Sequence, residues 1–226
     1  MGISSILAFP THFDTFIFDL DGVIIDSEHL TKYAFCEAYH RVVGEGEPPL
    51  EEYWQHLGDA FPNIMNKMGL PVAMWQPFRE VSSSRLDLIE VFPGIREILD
   101  FLSDYKIKLG ILTGKDWERT QQILHNFELH DYFSVVVTPE LIANPKPHPD
   151  GLFYALDRLN SKKENAVFIG DSINDMMCAK SANVTGIGAL WGEEVSIEKV
   201  VVLAECTVKS PSELLAALES KLVLVA

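Results

Sequence analysis

The sequence predicts an α/β protein, with a Rossmann-like, doubly wound parallel sheet as its core and a small helical cap. Apolar runs rich in β-branched and aromatic residues recur along the chain and are continuous rather than alternating. Such runs are typical of strands buried on both faces. Between them, apolar residues follow the i, i+3, i+4, i+7 spacing of helices. This alternation of strands and helices indicates a parallel sheet covered by helices.

The individual elements follow from these patterns in chain order. Strands are predicted at residues 13–18, 107–112, 135–137, 166–169 and 184–190. Helical spacing links Ile95, Ile98, Leu99 and Leu102, and later Leu152, Ala155, Leu156 and Leu159. Near the end, Ser210 and Glu213 form a capping-box pattern around Pro211, which predicts a last helix there. The closing KLVLVA is too short to classify.

One long segment interrupts the alternation and predicts the cap. Residues 27–91 contain helix-like stretches but no convincing buried strand. Their first helix has one apolar face, formed by Leu30, Ala34, Ala38 and Val42. Phe92, Pro93 and Gly94 then mark a hinge, because proline and glycine interrupt regular structure. We therefore expect residues 1–26 and 92–226 to form the core domain and residues 27–91 the cap domain.

Composition excludes some classes of function. The 226 residues carry a formal net charge of −15 without a basic block, so nucleic acid is not an expected partner. No apolar run approaches the roughly 20 residues that span a bilayer, and the first residues lack a basic leader and a cleavage site. We expect a soluble, cytoplasmic monomer or homodimer that does not bind a membrane. An anionic substrate would require a divalent cation to offset the charge.

The first chemical motif is DLDGV at residues 19–23, directly after the first predicted strand. Asp19 and Asp21 follow the carboxyl end of a buried strand, where ligands bind in open α/β sheets. An Asp-Gly pair after an apolar run is equally typical of a tight turn. By itself, this motif leaves active site and turn as alternatives.

Two further motifs place phosphate-binding groups in similar positions. The Thr113 hydroxyl beside the Gly114 amide ends a strand and could hold a phosphate oxygen, although threonine is ordinary at strand ends. Lys146 lies among alternating prolines in NPKPHP, which restrict the backbone and fix the position of the ammonium. The alternative for Lys146 is an exposed polyproline-like loop.

The fourth motif, GDSIND at residues 170–175, follows the strand predicted at 166–169. Asp171 and Asp175 are hard ligands that suit a divalent cation, while aspartate and serine are also favoured helix caps. Taken together, the four motifs would require four coincidences at the carboxyl ends of parallel strands. The joint pattern favours a phosphate and metal site.

These motifs, in this order, resemble those of the haloacid-dehalogenase superfamily. The resemblance spans nearly the whole chain and is closest to the phosphoglycolate-phosphatase and β-phosphoglucomutase branch, in which a helical cap follows the first strand. It implies a Mg²⁺-dependent phosphatase that hydrolyses a small phosphorylated metabolite, a phosphate monoester, through an aspartyl-phosphate. The cap sequence itself matches no single substrate class.

The resemblance also implies a role for each residue. Asp19 is the expected nucleophile and Asp21 the acid and base. Mg²⁺ is expected on Asp19, Asp171 and the Asp21 carbonyl, with Asp175 either behind it, orienting Lys146, or a direct ligand. A further set is expected to hold phosphate oxygens: Thr113, Lys146 and the amides near Leu20 and Gly114.

Three questions stay open at this point. A β-phosphoglucomutase-like phosphomutase keeps all four motifs and differs only in the acceptor of the phosphoryl group. A non-catalytic binding domain on the same fold is a second alternative. Within the cap, four basic residues are candidates for specificity contacts, although for each of them a solvated surface charge is the commoner role: Arg41, Lys67, Arg79 and Arg85.

Overall fold

The computed structural model describes residues 13–56, 59–192 and 197–222. The strands are β1 Thr15–Phe18, β2 Ile25–Asp26, β3 Glu90–Val91, β4 Lys108–Leu112, β5 Val135–Val137, β6 Ala166–Gly170, β7 Thr185–Ala189 and β8 Cys206–Val208. The helices are α1 Glu28–Val42, α2 Leu50–Trp54, α3 Phe61–Met68, α4 Trp75–Ser84, α5 Ile95–Asp104, α6 Trp117–Asn126, α7 Asp150–Arg158, α8 Ile173–Ala182, α9 Ile197–Leu203 and α10 Pro211–Leu222.

Six strands form one parallel sheet in the order β5-β4-β1-β6-β7-β8. From the central strand β1 the chain moves outward through β4 and β5, then returns to the other side of β1 and continues through β6, β7 and β8. This reversal makes the sheet doubly wound, and the predicted fold class is confirmed. In such sheets the ligand crevice lies at the carboxyl ends of the strands beside the reversal. Here those strands are β4, β1 and β6.

Both faces of the sheet are covered because side chains along each strand alternate in direction. In β1, Phe16 and Phe18 join one core cluster, together with Ile98 of α5 and Leu214 of α10. Ile17 points the other way, into a second cluster that includes residues of α7 and α8. Each of these three β1 residues is almost fully buried. A strand buried on two sides must be continuously apolar, which is the pattern seen in the sequence.

The predicted strands were found with small shifts in their ends. β1 begins at Thr15 rather than at residue 13, and β6 extends to Gly170. Strand β8 was not predicted, because three residues at a sheet edge carry too short a pattern. The predicted last helix begins at Pro211, where Ser210 Oγ accepts a hydrogen bond from Glu213 N at 3.1 Å. The Glu213 carboxylate, however, accepts from Lys209 N rather than from Ser210 N. The final residues 223–226 lie outside the described part.

Four helices, α1 to α4, lie between β2 and β3 and share a hydrophobic cluster of their own. As predicted, Leu30, Ala34 and Ala38 of α1 are buried, whereas Val42, the fourth residue of the predicted face, is half-buried. The chain enters and leaves this helical unit through β2 and β3, which pair antiparallel with Ile25 opposite Val91. This short ladder was not predicted. The ladder holds the two chain connections to the helical unit side by side. The domain boundaries after residues 26 and 91 stay predictions.

Within the described ranges, no helix is both long enough and apolar enough to cross a bilayer. The cytoplasmic location and the oligomeric state stay predictions.

Candidate active site

Three strand ends bring the sequence motifs together at the carboxyl edge of the sheet. β1 pairs with β4 on one side and with β6 on the other. Asp19, Thr113 and Asp171 each directly follow the last residue of a strand, β1, β4 and β6 respectively. Asp19 continues the ladder, since its amide donates to Ile169 O at 2.8 Å. Side chains 94 and 152 positions apart in sequence from Asp19 therefore face one crevice.

Lys146 is brought to the same place from the loop before α7. Its side chain is almost completely buried, and its ammonium lies 2.9 Å from Asp19 Oδ2 and 2.7 Å from Asp175 Oδ1. Burial lowers the pKa of Lys146, but Asp175 and Asp19 outweigh burial and hold the pKa above its ordinary value. The alternative of an exposed polyproline-like loop is therefore wrong for Lys146.

Asp175 is a helix cap, which was the structural alternative for the fourth motif, and its ligation of a metal stays a prediction. Asp175 Oδ2 accepts hydrogen bonds from Ser172 N at 3.0 Å and from Ser172 Oγ at 2.6 Å, so the two residues form a capping box at the start of α8. Its other oxygen, Oδ1, binds Lys146. Asp175 is fully buried. One carboxylate thus caps the helix and fixes the lysine ammonium.

Three carboxylates form a candidate metal centre. Asp19, Asp171 and Asp175 each offer an oxygen, and these oxygens lie within 4.8 Å of one another. Burial, with Asp175 nearby, raises the pKa of Asp19 to about 7 despite Lys146, and burial with Asp175 and Asp19 raises the pKa of Asp171 well above its usual range. Burial is the largest cause of both shifts, and the neighbouring carboxylates add to it. Clustered carboxylate oxygens are the donors that Mg²⁺ prefers, so the residues fit this ion.

Gly22 allows the backbone of the first motif to approach this centre. Its φ is +74°, and a Cβ added there would lie 1.9 Å from Asp171 Oδ2. Any other residue would both strain the backbone and collide with the carboxylate. The Asp-Gly pair is thus part of a turn and part of the site, so the two alternatives for this motif are compatible.

Asp21 lies in a different electrostatic environment from Asp19. Its Oδ1 accepts a hydrogen bond from Ser27 Oγ at 2.5 Å and lies 3.2 Å from Lys115 Nζ. Burial raises the pKa of Asp21, but the Lys115 ammonium and the Ser27 hydroxyl outweigh burial and hold the pKa below its ordinary value. The two carboxylates of the first motif are therefore paired with different lysines, Asp19 with Lys146 and Asp21 with Lys115.

Of the groups predicted to hold phosphate oxygens, some line the cavity and others do not. Thr113 is buried, and its Oγ1 accepts from Lys115 N at 3.1 Å. The Leu20 amide donates to Asp19 Oδ1 at 2.7 Å, so it fixes the carboxylate. Thr113 and Gly114 line the cavity, whereas Leu20 and Lys146 do not. In this conformation Lys146 contacts the carboxylates behind the cavity wall.

A cavity of about 210 Å³ lies between the sheet edge and the helical unit. The sheet side contributes the acids and Thr113. The helical unit contributes an apolar and aromatic wall: Tyr53, Trp54, Phe61, Ile64 and Phe78. The inserted helices thus face the predicted reaction centre directly.

The four candidate cap cations lie elsewhere. None of them lines this cavity; each instead pairs with a carboxylate: Arg41 with Glu37 and Glu80, Lys67 with Asp59, Arg79 with Glu118 and Asp116, and Arg85 with Asp87. In the described structure these residues are charges in ion pairs rather than contacts for a ligand.

Sequence reasoning missed the cations that do line the cavity, Lys115 and Arg119. Lys115 lies two residues after Thr113, so its proximity to the second motif could have been noticed. Arg119 lies on α6 and is buried against the cap, with its guanidinium 5.1 Å from the Trp75 ring centre. The position of Arg119 depends on how the helical unit packs on the core, so no local sequence pattern predicts it.

Comparison with known proteins agrees with this architecture. The fold and site define a doubly wound α/β protein with a carboxylate centre at the sheet edge. The model of the haloacid dehalogenase-like hydrolases matches residues 16–189, so the chain belongs to this family.

Among its relatives is the phosphorylated carbohydrates phosphatase of Thermotoga maritima, 30% identical over 222 residues that cover 91% of this chain and 98% of the relative. The pyrophosphatase PpaX of Listeria monocytogenes is 28% identical over 180 residues, 78% of this chain and 83% of the relative. A crystal structure from Lactobacillus plantarum, provisionally named a phosphoglycolate phosphatase, superposes with a TM-score of 0.81 at 23% identity. That match covers 91% of this chain and 99% of the other, and it shows the fold alone.

Proposed function

We propose that this protein is a Mg²⁺-dependent phosphatase that hydrolyses a small-molecule phosphate monoester through an aspartyl-phosphate on Asp19. One observation carries the proposal. Asp19 and Asp21 line the same cavity, and each carboxylate is held by a different lysine, Lys146 and Lys115. Two carboxylates in distinct environments suit the separate tasks of nucleophile and proton carrier.

Asp19, Asp171 and the backbone carbonyl of Asp21 would hold Mg²⁺, with Asp175 behind them or as a further ligand. When bound, the ion supplies positive charge that offsets the carboxylates and the phosphate oxygens. The close approach of the Gly22 backbone to Asp171 supports this arrangement. Asp175 also orients Lys146, whose ammonium it contacts at 2.7 Å.

In the first step, an Asp19 oxygen attacks phosphorus and the bond from phosphorus to the ester oxygen breaks. Asp21 gives a proton to the departing oxygen, and the free alcohol is released. Because Lys115 and Ser27 hold the pKa of Asp21 low, the negative charge of the bound phosphate must favour the protonated form in this step. Thr113 and the Gly114 amide line the cavity where the phosphoryl oxygens would lie, so they can stabilise charge there. Lys146 keeps the attacking carboxylate in place.

In the second step, Asp21 is a carboxylate and takes a proton from water. The water oxygen bonds to phosphorus, the bond between phosphorus and Asp19 breaks, and inorganic phosphate leaves. Lys115 and Ser27 fix the orientation of Asp21 for both transfers, because both contact its Oδ1. The two steps together convert one ester and one water into one alcohol and one phosphate.

The helices between β2 and β3 would act as a cap that closes on the substrate and excludes bulk water during the first step. Their aromatic residues supply one wall of the cavity. We therefore propose that residues 27–91 select the alcohol part of the substrate and that the rest of the chain performs the chemistry.

The proposal is tested by phosphate release from p-nitrophenyl phosphate with and without Mg²⁺. We expect Mg²⁺-dependent turnover that Asp19→Asn abolishes. Asp104→Asn, the same change at an exposed position of α5, is the control and should retain activity.

A phosphomutase would return the phosphoryl group to a sugar, so product analysis with a hexose 1-phosphate separates it from a phosphatase. Failure to release phosphate from any of a broad set of phosphate esters would instead favour a binding domain.

A further inference from the structure

The cap side of the cavity is built from packed aromatic rings. Phe61 and Phe78 stack with ring centres 4.2 Å apart, and Tyr53 meets Phe61 edge to face at 6.1 Å. All three residues are almost completely buried and line the cavity. Such a wall gives a flat, rigid, apolar surface to whatever lies beyond the phosphoryl group.

The hydroxyl of Tyr53 is the polar group in this wall. Tyr53 is 3% exposed as a residue and lines the cavity. Burial raises the pKa of Tyr53 above its ordinary value, so the group stays a neutral hydroxyl. A tyrosine hydroxyl at a cavity wall can donate and accept hydrogen bonds, so it can bind a hydroxyl group of a ligand in that cavity.

The cations of the cavity are already committed to other groups. Lys115 pairs with Asp21, and Arg119 pairs with Asp116, donates to Ser82 Oγ at 3.1 Å and lies over aromatic rings. No other lysine or arginine lines the cavity in the described part of the chain. Neither of the internal stretches outside the description, residues 57–58 and 193–196, contains a basic residue.

Carboxylates are plentiful on the same side of the cavity. Beyond the metal centre, its lining includes the carboxylates of Asp26 and Asp59, and Asp59 pairs with Lys67 at 2.8 Å. A second anionic group on the substrate would meet negative charge without a free counter-charge. Desolvating an unpaired anion in such a place is costly.

We propose that the leaving group of the substrate is an uncharged, hydroxylated alcohol that donates to or accepts from the Tyr53 hydroxyl and packs its carbon face on Phe61 and Phe78. This inference rests on the proposed phosphatase activity and narrows its substrate class. It excludes bisphosphates, phosphorylated carboxylic acids and pyrophosphate as preferred substrates. Tyr53 is then a specificity-determining residue rather than a participant in bond breaking.

Three substrates of equal carbon number test the charge and hydroxyl requirements separately. Glycerol 3-phosphate carries neutral hydroxyls, 3-phosphoglycerate replaces one with a carboxylate, and n-propyl phosphate has none. We expect kcat/KM for glycerol 3-phosphate to exceed that for 3-phosphoglycerate by at least about tenfold, because the carboxylate of 3-phosphoglycerate would be buried without a cation to pair with it. Pyrophosphate should be a similarly poor substrate.

The variant Tyr53→Phe tests the hydroxyl contact. It should reduce the ratio of kcat/KM for glycerol 3-phosphate over n-propyl phosphate by roughly 3- to 10-fold, the value of one hydrogen bond. Tyr33→Phe is the matched control, because Tyr33 is 42% exposed on α1 of the same cap, and its ratio should match that of the wild type.

Equal or better hydrolysis of 3-phosphoglycerate or pyrophosphate by the wild-type protein would overturn the inference even if Tyr53→Phe does not fold. An unchanged substrate ratio in a folded Tyr53→Phe protein would overturn the role of Tyr53. Either of these two outcomes leaves the phosphatase proposal intact, provided that the wild type hydrolyses p-nitrophenyl phosphate in the same assays. Absence of all Mg²⁺-dependent hydrolysis would overturn the phosphatase proposal instead.

Discussion

The ammonium of Lys115 lies 3.2 Å from Asp21 Oδ1. Both belong to loops at the carboxyl edge of the sheet, after β4 and β1 respectively. Because Lys115 is buried, its charge is poorly screened and acts strongly on the neighbouring carboxylate. The pair gives Asp21 an electrostatic environment separate from that of Asp19, which is bound by Lys146.

The first prediction concerns Lys115. Lys115→Met removes the ammonium but keeps a long side chain, so burial should then raise the pKa of Asp21. The limbs of the pH profile that titrate with Asp21 should move to higher pH, both for kcat/KM with an alkyl phosphate and for the hydrolysis of the phosphoenzyme. Lys180→Met, at an exposed position of α8, should keep the wild-type profile. Superimposable profiles for all three proteins would contradict this role.

The second prediction concerns the metal. Mg²⁺ should support turnover and raise the melting temperature, because a ligand bound only by the folded state stabilises it by about 2.7 kcal/mol at 100 times its Kd. Asp171→Asn should weaken this stabilisation, as measured by thermal unfolding over a Mg²⁺ titration. Calcium should also stabilise the protein yet support little turnover, because its coordination shell is larger and less rigid. Full activity after exhaustive chelation would refute the metal assignment.

The third prediction is a pH dependence of stability in the metal-free protein. The pKa of Asp19 is about 7 in the folded chain, against an ordinary value of 3.8. Between these values the folded state binds a proton that the unfolded state has lost, so this residue makes stability fall as pH rises. The slope is at most about 1.4 kcal/mol per pH unit.

Other acids contribute slopes of their own, so the measurement compares the wild type with Asp19→Asn by denaturant unfolding in chelator from pH 5 to 8. The variant should become more stable relative to the wild type as pH rises. Parallel stability curves would show that Asp19 does not titrate in this range. Asp104→Asn should follow the wild type.

The fourth prediction separates surface charges from the cavity wall. Changing Arg41 or Arg85 singly to Gln should leave the order of preferred substrates unchanged, because each is in an ion pair whose members do not line the cavity. Tyr53→Phe should change that order. A panel of sugar phosphates, nucleoside monophosphates and phosphoglycolate gives the readout. A changed preference in either charge variant would restore that residue as a specificity contact.

The sequence predicted the parts of the site that depend on strand order. Asp19, Thr113 and Asp171 follow strand ends, and a parallel sheet necessarily brings such ends to one edge. Lys146 could be placed only through the joint pattern of motifs, because a proline-rich loop has no periodicity. Tyr53 and Arg119 could not be predicted, since their positions depend on how the helical unit packs on the core. Exposed charges such as Arg41 cannot be told from ligand contacts by residue type alone.

The fifth prediction assigns different tasks to Asp19 and Asp21. Asp19→Asn removes the nucleophile, so no phosphoenzyme should form with any substrate. Asp21→Asn keeps the nucleophile but loses the proton donor, so the damage should depend on the leaving group. A phenolate departs with little protonation and should still phosphorylate Asp19, whereas an alkoxide should depart very slowly.

Asp21→Asn should also lack the base that activates water, so the phosphoenzyme made from an aryl phosphate should accumulate. Mass spectrometry of Asp21→Asn mixed with Mg²⁺ and p-nitrophenyl phosphate should then find a phosphoryl adduct on Asp19. The wild type under the same conditions should show much less adduct, because Asp21, oriented by Ser27 and Lys115, hydrolyses it. An adduct on another residue, or continued turnover by Asp19→Asn, would show that the nucleophile is a different group and that the division of tasks between the two aspartates is wrong.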